Sequence, residues 1–246
     1  MTQPSRSPSP RTVSVLRTER LNRSLVRVVV AGPELAGFHP THADSYVKLL
    51  FPPPQDAPGS RPRLRTYTVR SFNPNSLELT LDFVVHGDGL AGPWATSALP
   101  GDQIQLLGPG GGYTPDRQAD FHVLAGDESA IPAIAVALER LPSAARVHAF
   151  IEVRSQEDQV QLARPITWLH RGDDQIGSQL VKTITDWQPP QGDGQWFVHG
   201  EAAVVRQIRQ HLQAALSVPG TCTSISGYWR LGVADEQWRA TRSAMA

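Results

Sequence analysis

The run Arg65-Thr66-Tyr67-Thr68-Val69-Arg70 sets a guanidinium beside an aromatic ring. In an extended strand Arg65, Tyr67 and Val69 share one face, and Thr66, Thr68 and Arg70 share the other. An arginine fork suits a phosphate oxygen, and a tyrosine ring suits stacking on a planar cofactor. A solvated edge strand explains the same residues, and on spacing alone it is the simpler reading. A second segment runs from Asp82 through Val84, His86, Gly87, Gly89, Gly92, Pro93 and Trp94 to Ala95. It reads as a strand entering a glycine-rich turn, then a short helix with Pro93 near its first turn. Glycines let backbone approach a ligand closely, and a helix N-terminus attracts phosphate. His86 reads equally as a strand-end histidine that caps a turn, and Trp94 as a core anchor.

A third segment, Ala125-Gly126-Asp127-Glu128-Ser129-Ala130-Ile131-Pro132-Ala133, follows a strand and opens a helix, where dinucleotide phosphates often sit. It is not G-x-G-x-x-G, and Asp127 and Glu128 would repel a diphosphate beside them. On chemistry alone an N-capped helix with acids at the positive end of its dipole fits better. Arg154 and Ser155 follow the next strand, where an NADPH 2′-phosphate could be met, although a plain exposed turn is the simpler reading. Gly200-Glu201-Ala202 marks another strand-to-helix junction, with Glu201 either a first-turn dipole partner or a neighbour of a nicotinamide. Cys222 reads as a small packed residue. The histidines show no metal-ligand spacing, and G-x-S-x-G and P-loop motifs are absent from the sequence. No protein metal site is expected.

These residues need elements to hold them. Leu77, Leu79, Leu81, Phe83 and Val85 alternate with Glu78, Thr80, Asp82 and Val84, the period of a half-buried strand. Shorter strand-like runs lie at Thr12–Leu16, Leu25–Val30, Tyr46–Phe51, Leu64–Phe72 and Gln103–Leu107, separated by turn signals such as Asn73-Pro74-Asn75. About six such strands suggest a small antiparallel barrel. Beyond Gly108–Gly112 the pattern changes to strands alternating with helices. Strands are expected at Phe121–Ala125, Arg146–Val153, Ile166–Leu169, Trp196–His199 and Ser224–Trp229. Helices are expected where Ile131, Ile134, Ala135 and Leu138 share a face, and over Ala202–Leu216. That predicts a mainly parallel sheet covered by helices. The expected fold is therefore an N-terminal six-stranded antiparallel barrel over residues 11–116, then an α/β domain over 117–246. Residues 1–10 are expected to be a disordered tail.

The 246 residues carry 23 basic and 23 acidic side chains, so no general nucleic-acid-binding surface is expected. A single cysteine rules out an internal disulfide and fits a reducing compartment. No apolar run approaches a membrane span, and the N-terminus lacks a secretory pattern. The cytoplasm is the expected location, without membrane insertion, and a monomer is the expected state.

Barrel followed by α/β sheet is the architecture of flavin reductases resembling ferredoxin reductase. The ordered set of motifs resembles the siderophore-interacting protein family, the FAD-dependent ferric-siderophore reductases. It comprises Arg65 to Arg70, Asp82 to Gly87, Gly92-Pro93-Trp94-Ala95, Pro100-Gly101-Asp102, Gly108 to Gly111, Gly126 to Ala133, Gly200-Glu201-Ala202 and Gly227 to Gly232, and covers roughly residues 11 to 240. The resemblance implies an FAD site of Arg65, Thr66, Tyr67, Thr68, Asp82, Val84, His86, Trp94, Ala95, Thr96 and Ser97. In it Arg65 would hold the diphosphate or ribityl region, Tyr67 would pack on the isoalloxazine, and Thr68 would bond near its reactive edge. Asp82, Val84 and His86 would contact flavin or ribityl through side chain or backbone. Ala95, Thr96 and Ser97 would place helix N-terminal amides and hydroxyls on the phosphates. It keeps Gly126, Asp127, Glu128, Arg154, Gly200 and Glu201 as candidates for NAD(P)H. It also implies a basic pocket for an anionic ferric siderophore, with Lys48, Arg171 and Arg230 as candidates. Lys48 already stands out between Val47 and Leu49. The implied activity passes hydride from NADPH or NADH to FAD, then single electrons to Fe(III), releasing Fe(II). A reduced ferredoxin is an alternative donor and partner. Two other readings stand: a flavin reductase with a protein or free-flavin acceptor, and a non-enzymatic siderophore carrier.

Overall fold

The computed structural model describes residues 9–53, 59–85, 89–233 and 238. Most of the expected tail, and His86, lie outside the described residues. Six strands close into a barrel: β1 (Arg11–Arg20), β2 (Leu25–Ala31), β3 (Tyr46–Phe51), β4 (Arg63–Asn73), β5 (Glu78–Val84) and β6 (Gln103–Gly110). Their order is β1-β2-β5-β4-β3-β6, every pairing antiparallel. Closure leaves no strand edge unpaired. Leu79, Leu81 and Phe83 turn inward and are fully buried, as their alternation predicted. Helix α1 (Ala91–Ser97) closes one end. Its Trp94 indole packs edge-on to Phe51 at 5.8 Å and near Phe83 at 5.5 Å, so Trp94 is a core anchor.

The second sheet is parallel throughout. Its order is β11 (Thr223–Trp229), β10 (Gly194–Glu201), β7 (Phe121–Gly126), β8 (Val147–Val153), β9 (Thr167–His170). Every residue of the central strand β7 is buried, as a strand covered on both faces requires. Helix α2 (Ile131–Arg140) covers the face toward the barrel. Helices α3 (Ser178–Asp186) and α4 (Ala202–Ala214) cover the other. The sequence reading has no helix at α3. Its buried stripe is only Leu180 and Ile184 among polar neighbours, too short a pattern to stand out.

The two parts share a core. Leu25, Ala43 and Tyr113 pack with Leu124, Ile134 and Phe197 of the second domain. A polar prong reinforces this. Arg23, in the β1–β2 turn, grips Asp158 with Nε at 3.0 Å and Nη2 at 2.9 Å, and Nη2 also donates to Ser155 Oγ. Arg70 pairs with Glu139 of α2. Burial works to raise the Asp158 pKa, but hydrogen bonds from Arg23, Ser24 and Ser155 and the Arg23 charge hold it down at about 2. A depressed carboxyl stabilises the fold in full above its unfolded value of 3.8, and that contribution is lost as pH falls toward 2. The contribution is about 2 kcal/mol. The melting-temperature gap between wild type and Asp158→Asn is therefore expected to shrink as pH drops from about 5 to about 3. A gap independent of pH would contradict this.

Candidate functional site

Strands β4 and β5 are hydrogen-bonded neighbours, so the two signature segments lie side by side on the barrel. Tyr67 sits opposite Val47, half-buried, its ring 4.2 Å from that of Phe83. Arg65, two residues along the same side, is half-buried and donates through Nη1 to the Leu64 carbonyl. On the other side Thr66 is exposed opposite Lys48, while Thr68 is buried opposite Tyr46. Lys48 has no ion-pair partner among the described residues. Val84 is half-buried and packs toward the second domain's core.

One expectation for this region narrows and another needs correction. The Asp82 carboxylate is already engaged: Arg27 Nε donates to Oδ1 at 2.7 Å and Nη2 to Oδ2 at 2.9 Å, so a buried bidentate ion pair uses its side chain. Only backbone remains for a ligand. Arg27, the one charged residue in a valine-rich strand, carries the same signal as Lys48 but was not singled out from sequence. Ala95, Thr96 and Ser97 do not begin a helix. They close α1, which starts at Ala91, and the Thr96 and Ser97 hydroxyls donate to the Gly92 and Pro93 carbonyls. The amides at the helix start belong to Ala91 and Gly92.

The C-terminal edge of the parallel sheet gathers the other candidates, and carboxylates dominate it. Asp127 Oδ1 accepts from Ser129 N and Oγ, and Oδ2 accepts from Glu201 N and Trp229 Nε1. One buried carboxylate thus ties together the ends of β7, β10 and β11. Burial pushes its pKa up, against these hydrogen bonds. Gly200 is required here: at φ +147 any Cβ would lie 2.5 Å from Asp127 Oδ2. A Cβ at Gly126 would strike the His199 carbonyl at 2.4 Å, so that glycine serves strand packing. Glu201 caps α4 by accepting from Ala203 N and Val204 N. Glu152, fully buried at the end of β8, accepts from Gly177 N and Leu180 N at the start of α3.

Arg171, expected as a substrate cation, is not on the surface. Its Nη1 lies 2.8 Å from Glu128 Oε1 and 3.9 Å from Glu152 Oε1, with the side chain 14% exposed. Two otherwise uncompensated carboxylates require it. Burial and the Asp127 charge raise the Glu128 pKa, and Arg171 opposes them. Sequence reading missed Glu152, although a charged residue inside the apolar run of β8 was a visible signal. Arg154 is exposed beyond β8 and pairs with Asp173 at 3.1 Å. Arg230 is exposed beyond β11, its guanidinium 5.8 Å from the Trp238 ring centroid.

Comparison with known proteins gives a consistent result. Residues 119–232 match the siderophore-interacting protein family, and residues 14–60 and 55–113 match the siderophore-interacting FAD-binding domain. The ferric vibriobactin reductase of Vibrio cholerae is 34% identical, over 95% of this chain and 94% of that one. The NADPH-dependent ferric-chelate reductase of Escherichia coli is 30% identical, over 89% and 92%. The crystal structure of a siderophore utilization protein from T. fusca superposes with a TM-score of 0.84 at 35% identity, covering 93% of this chain and 95% of that one. Among the described residues, no helix is long and apolar enough to cross a membrane.

Proposed function

Because the chain belongs to the siderophore-interacting protein family, we propose that it is an FAD-dependent reductase that takes electrons from NADPH or NADH and delivers them to the Fe(III) of a siderophore. The observation that carries this reading is the pairing of β4 with β5, which sets Arg65, Tyr67, Thr68 and Val84 on neighbouring strands of a barrel packed against a parallel α/β sheet.

The residues present suit FAD. Cation, ring and hydroxyl succeed one another along β4 at a barrel rim, which is the donor set that a diphosphate and a flat conjugated ring need. Arg65 would hold the diphosphate or ribityl region, Tyr67 the ring, and Thr66 and Thr68 its polar edge. Val84 and the backbone of Asp82 would border it, as would His86. Bound there, FAD supplies the exchange between two-electron and one-electron chemistry, which side chains cannot perform. The chain's own work is to hold the group and admit the anionic chelate. Fe(II) carries less charge than Fe(III) and binds oxygen donors less strongly, so reduction releases the metal.

Lys48 is the candidate that best fits an attractive role toward that chelate, since Arg171 is committed to Glu128 and Glu152. Lys48→Ala is expected to slow reduction of an anionic ferric siderophore about three- to tenfold while leaving flavin content and the rate with a neutral chelate unchanged. Equal slowing of both chelates would remove Lys48 from the pocket.

An absorption spectrum of the purified protein, followed by anaerobic NADPH or NADH, tests the whole reading. Flavin bands that bleach, and recover as Fe(II) forms on adding ferric siderophore, are the expected result. Bands that ignore both nucleotides but bleach with reduced ferredoxin move the donor to that protein. A protein that binds no FAD would instead be a siderophore carrier.

A further inference from the structure

Alternate residues of β1, β3, β4 and β6 form rows across the outer face of the barrel, and the strand register fixes their order. Thr68, read as bonding the flavin's reactive edge, lies opposite Tyr46. The next row is Thr66, Lys48 and Leu107, and the one after it is Leu64, Leu50, Gln105 and Thr12. Each step of two residues advances about 7 Å along a strand. Lys48 therefore stands between the flavin position and a groove of about 410 Å³ that opens at Leu50 and Gln105. A groove of that size suits a small ligand.

Its lining has a definite chemistry. Leu50, Pro52 and Pro62 supply apolar surface, Gln103 and Gln105 supply carboxamides, and Thr12 supplies a hydroxyl. Arg63 Nε donates to the Pro52 carbonyl at 3.1 Å and steadies the proline wall. None of the residues lining the groove is charged. The Gln103 carboxamide has no hydrogen-bond partner among the described residues, and that of Gln105 reaches only the Thr12 hydroxyl, at 3.5 Å. An anion finds no cation in this groove, and a metal ion finds no carboxylate. A carboxamide both donates and accepts, so it can pair with either edge of an amide. The apolar floor suits methylenes between successive amides.

We infer that this groove is a scaffold subsite, which receives an uncharged, amide-bearing chain extending from the iron centre of a siderophore while Lys48 faces the anionic oxygens around the metal. This rests on the ferric-siderophore reading above. Lys48 acts on the charge of any chelate, with or without a chain. Gln103 and Gln105 read the chain, and so select amide-linked siderophores over compact chelates.

The test is the affinity of gallium(III) complexes for FAD-loaded protein, measured by titration calorimetry. Gallium(III) takes the same oxygen donors as Fe(III) but is not reduced, so binding is read without electron transfer. The gallium complex of N-acetyl-desferrioxamine B carries an amide-linked chain. Gallium tris(acetohydroxamate), kept intact by excess acetohydroxamate, has the same donor groups and no chain. Both are uncharged, so Lys48 does not separate them. The double variant Gln103→Leu/Gln105→Leu keeps side-chain size and is expected to weaken the chained complex about tenfold while leaving the compact one unchanged. Leu50→Trp, which fills the groove, is expected to act in the same sense. The compact complex also reports whether each variant is folded. Variants that leave the chained complex unchanged, or weaken both complexes alike, overturn the inference, and the proposed function stands if wild type still reduces the two ferric counterparts. A flavin-loaded wild type that binds neither gallium complex and, once reduced by dithionite, reduces neither ferric complex removes the proposed function and this inference together.

Discussion

Arg171→Ala is expected to lower the melting temperature by about 10 °C. The guanidinium is the cation between Glu128 and Glu152, and all three side chains are largely buried. Removing one partner of a buried ion pair costs about 3–5 kcal/mol, because the remaining charge keeps its desolvation penalty without its Coulomb return. In a protein of this size each kcal/mol moves the midpoint by about 2–4 °C. The loss should also depend on pH in a defined sense. Burial and Asp127 already push the Glu128 carboxyl up. An acid with a raised folded pKa binds more protons folded than unfolded, so its penalty grows with pH. The difference between wild type and variant should therefore be larger at about pH 8 than at about pH 5. Thermal denaturation followed by circular dichroism at the two pH values is sufficient. If Arg171 is instead a substrate cation, as its family resemblance implied, the variant melts with wild type and loses only rate toward anionic chelates. A midpoint within about 2 °C of wild type at both pH values would favour that role.

Arg65→Ala is expected to yield protein largely stripped of flavin, with FAD affinity down about ten- to a hundredfold. A charge-assisted contact contributes about 1.5–3 kcal/mol, and each 1.4 kcal/mol is a factor of ten. The fold should survive, since Arg65 is only half-buried and lies outside the barrel's apolar core. The ratio of flavin to protein absorbance after purification gives the first answer, and titration of stripped protein with FAD gives the constant. Arg65→Lys should bind FAD with intermediate affinity, because a point charge remains but the planar fork is gone. An Arg65→Ala protein that purifies fully flavinated would show that the diphosphate is held elsewhere, for instance by the backbone at Ala91 and Gly92.

Both predictions depend on partners that sequence reading treats unequally. The alternation of Leu79, Leu81 and Phe83, the unbroken apolar run of β7 and the stripe of α4 are local patterns. They report which face of an element is buried whatever lies opposite. That made the six-stranded barrel, the parallel sheet and the change of architecture between β6 and β7 legible. The order of short motifs, too, is a property of the chain itself. It was enough to suggest the family and the β4 and β5 segments where FAD would lie.

Partnership is not local. Arg27 and Asp82 are 55 residues apart, and Arg23 and Asp158 are 135 apart. An isolated charge in an apolar strand announces that it needs a counterpart, because an unpaired buried charge is too costly to keep. It does not say whether that counterpart is a ligand or another side chain. Lys48, Arg27 and Glu152 are such charges. The topology separates them: strand order brings β9 beside β8 and sets Arg171 against Glu128 and Glu152. It brings Arg27 across from Asp82, and it leaves Lys48 without an ion-pair partner among the described residues. The sequence by itself determined which residues must be buried and which charges required a partner. Only the tertiary structure decided which charges are satisfied internally, because that depends on which distant elements pack together.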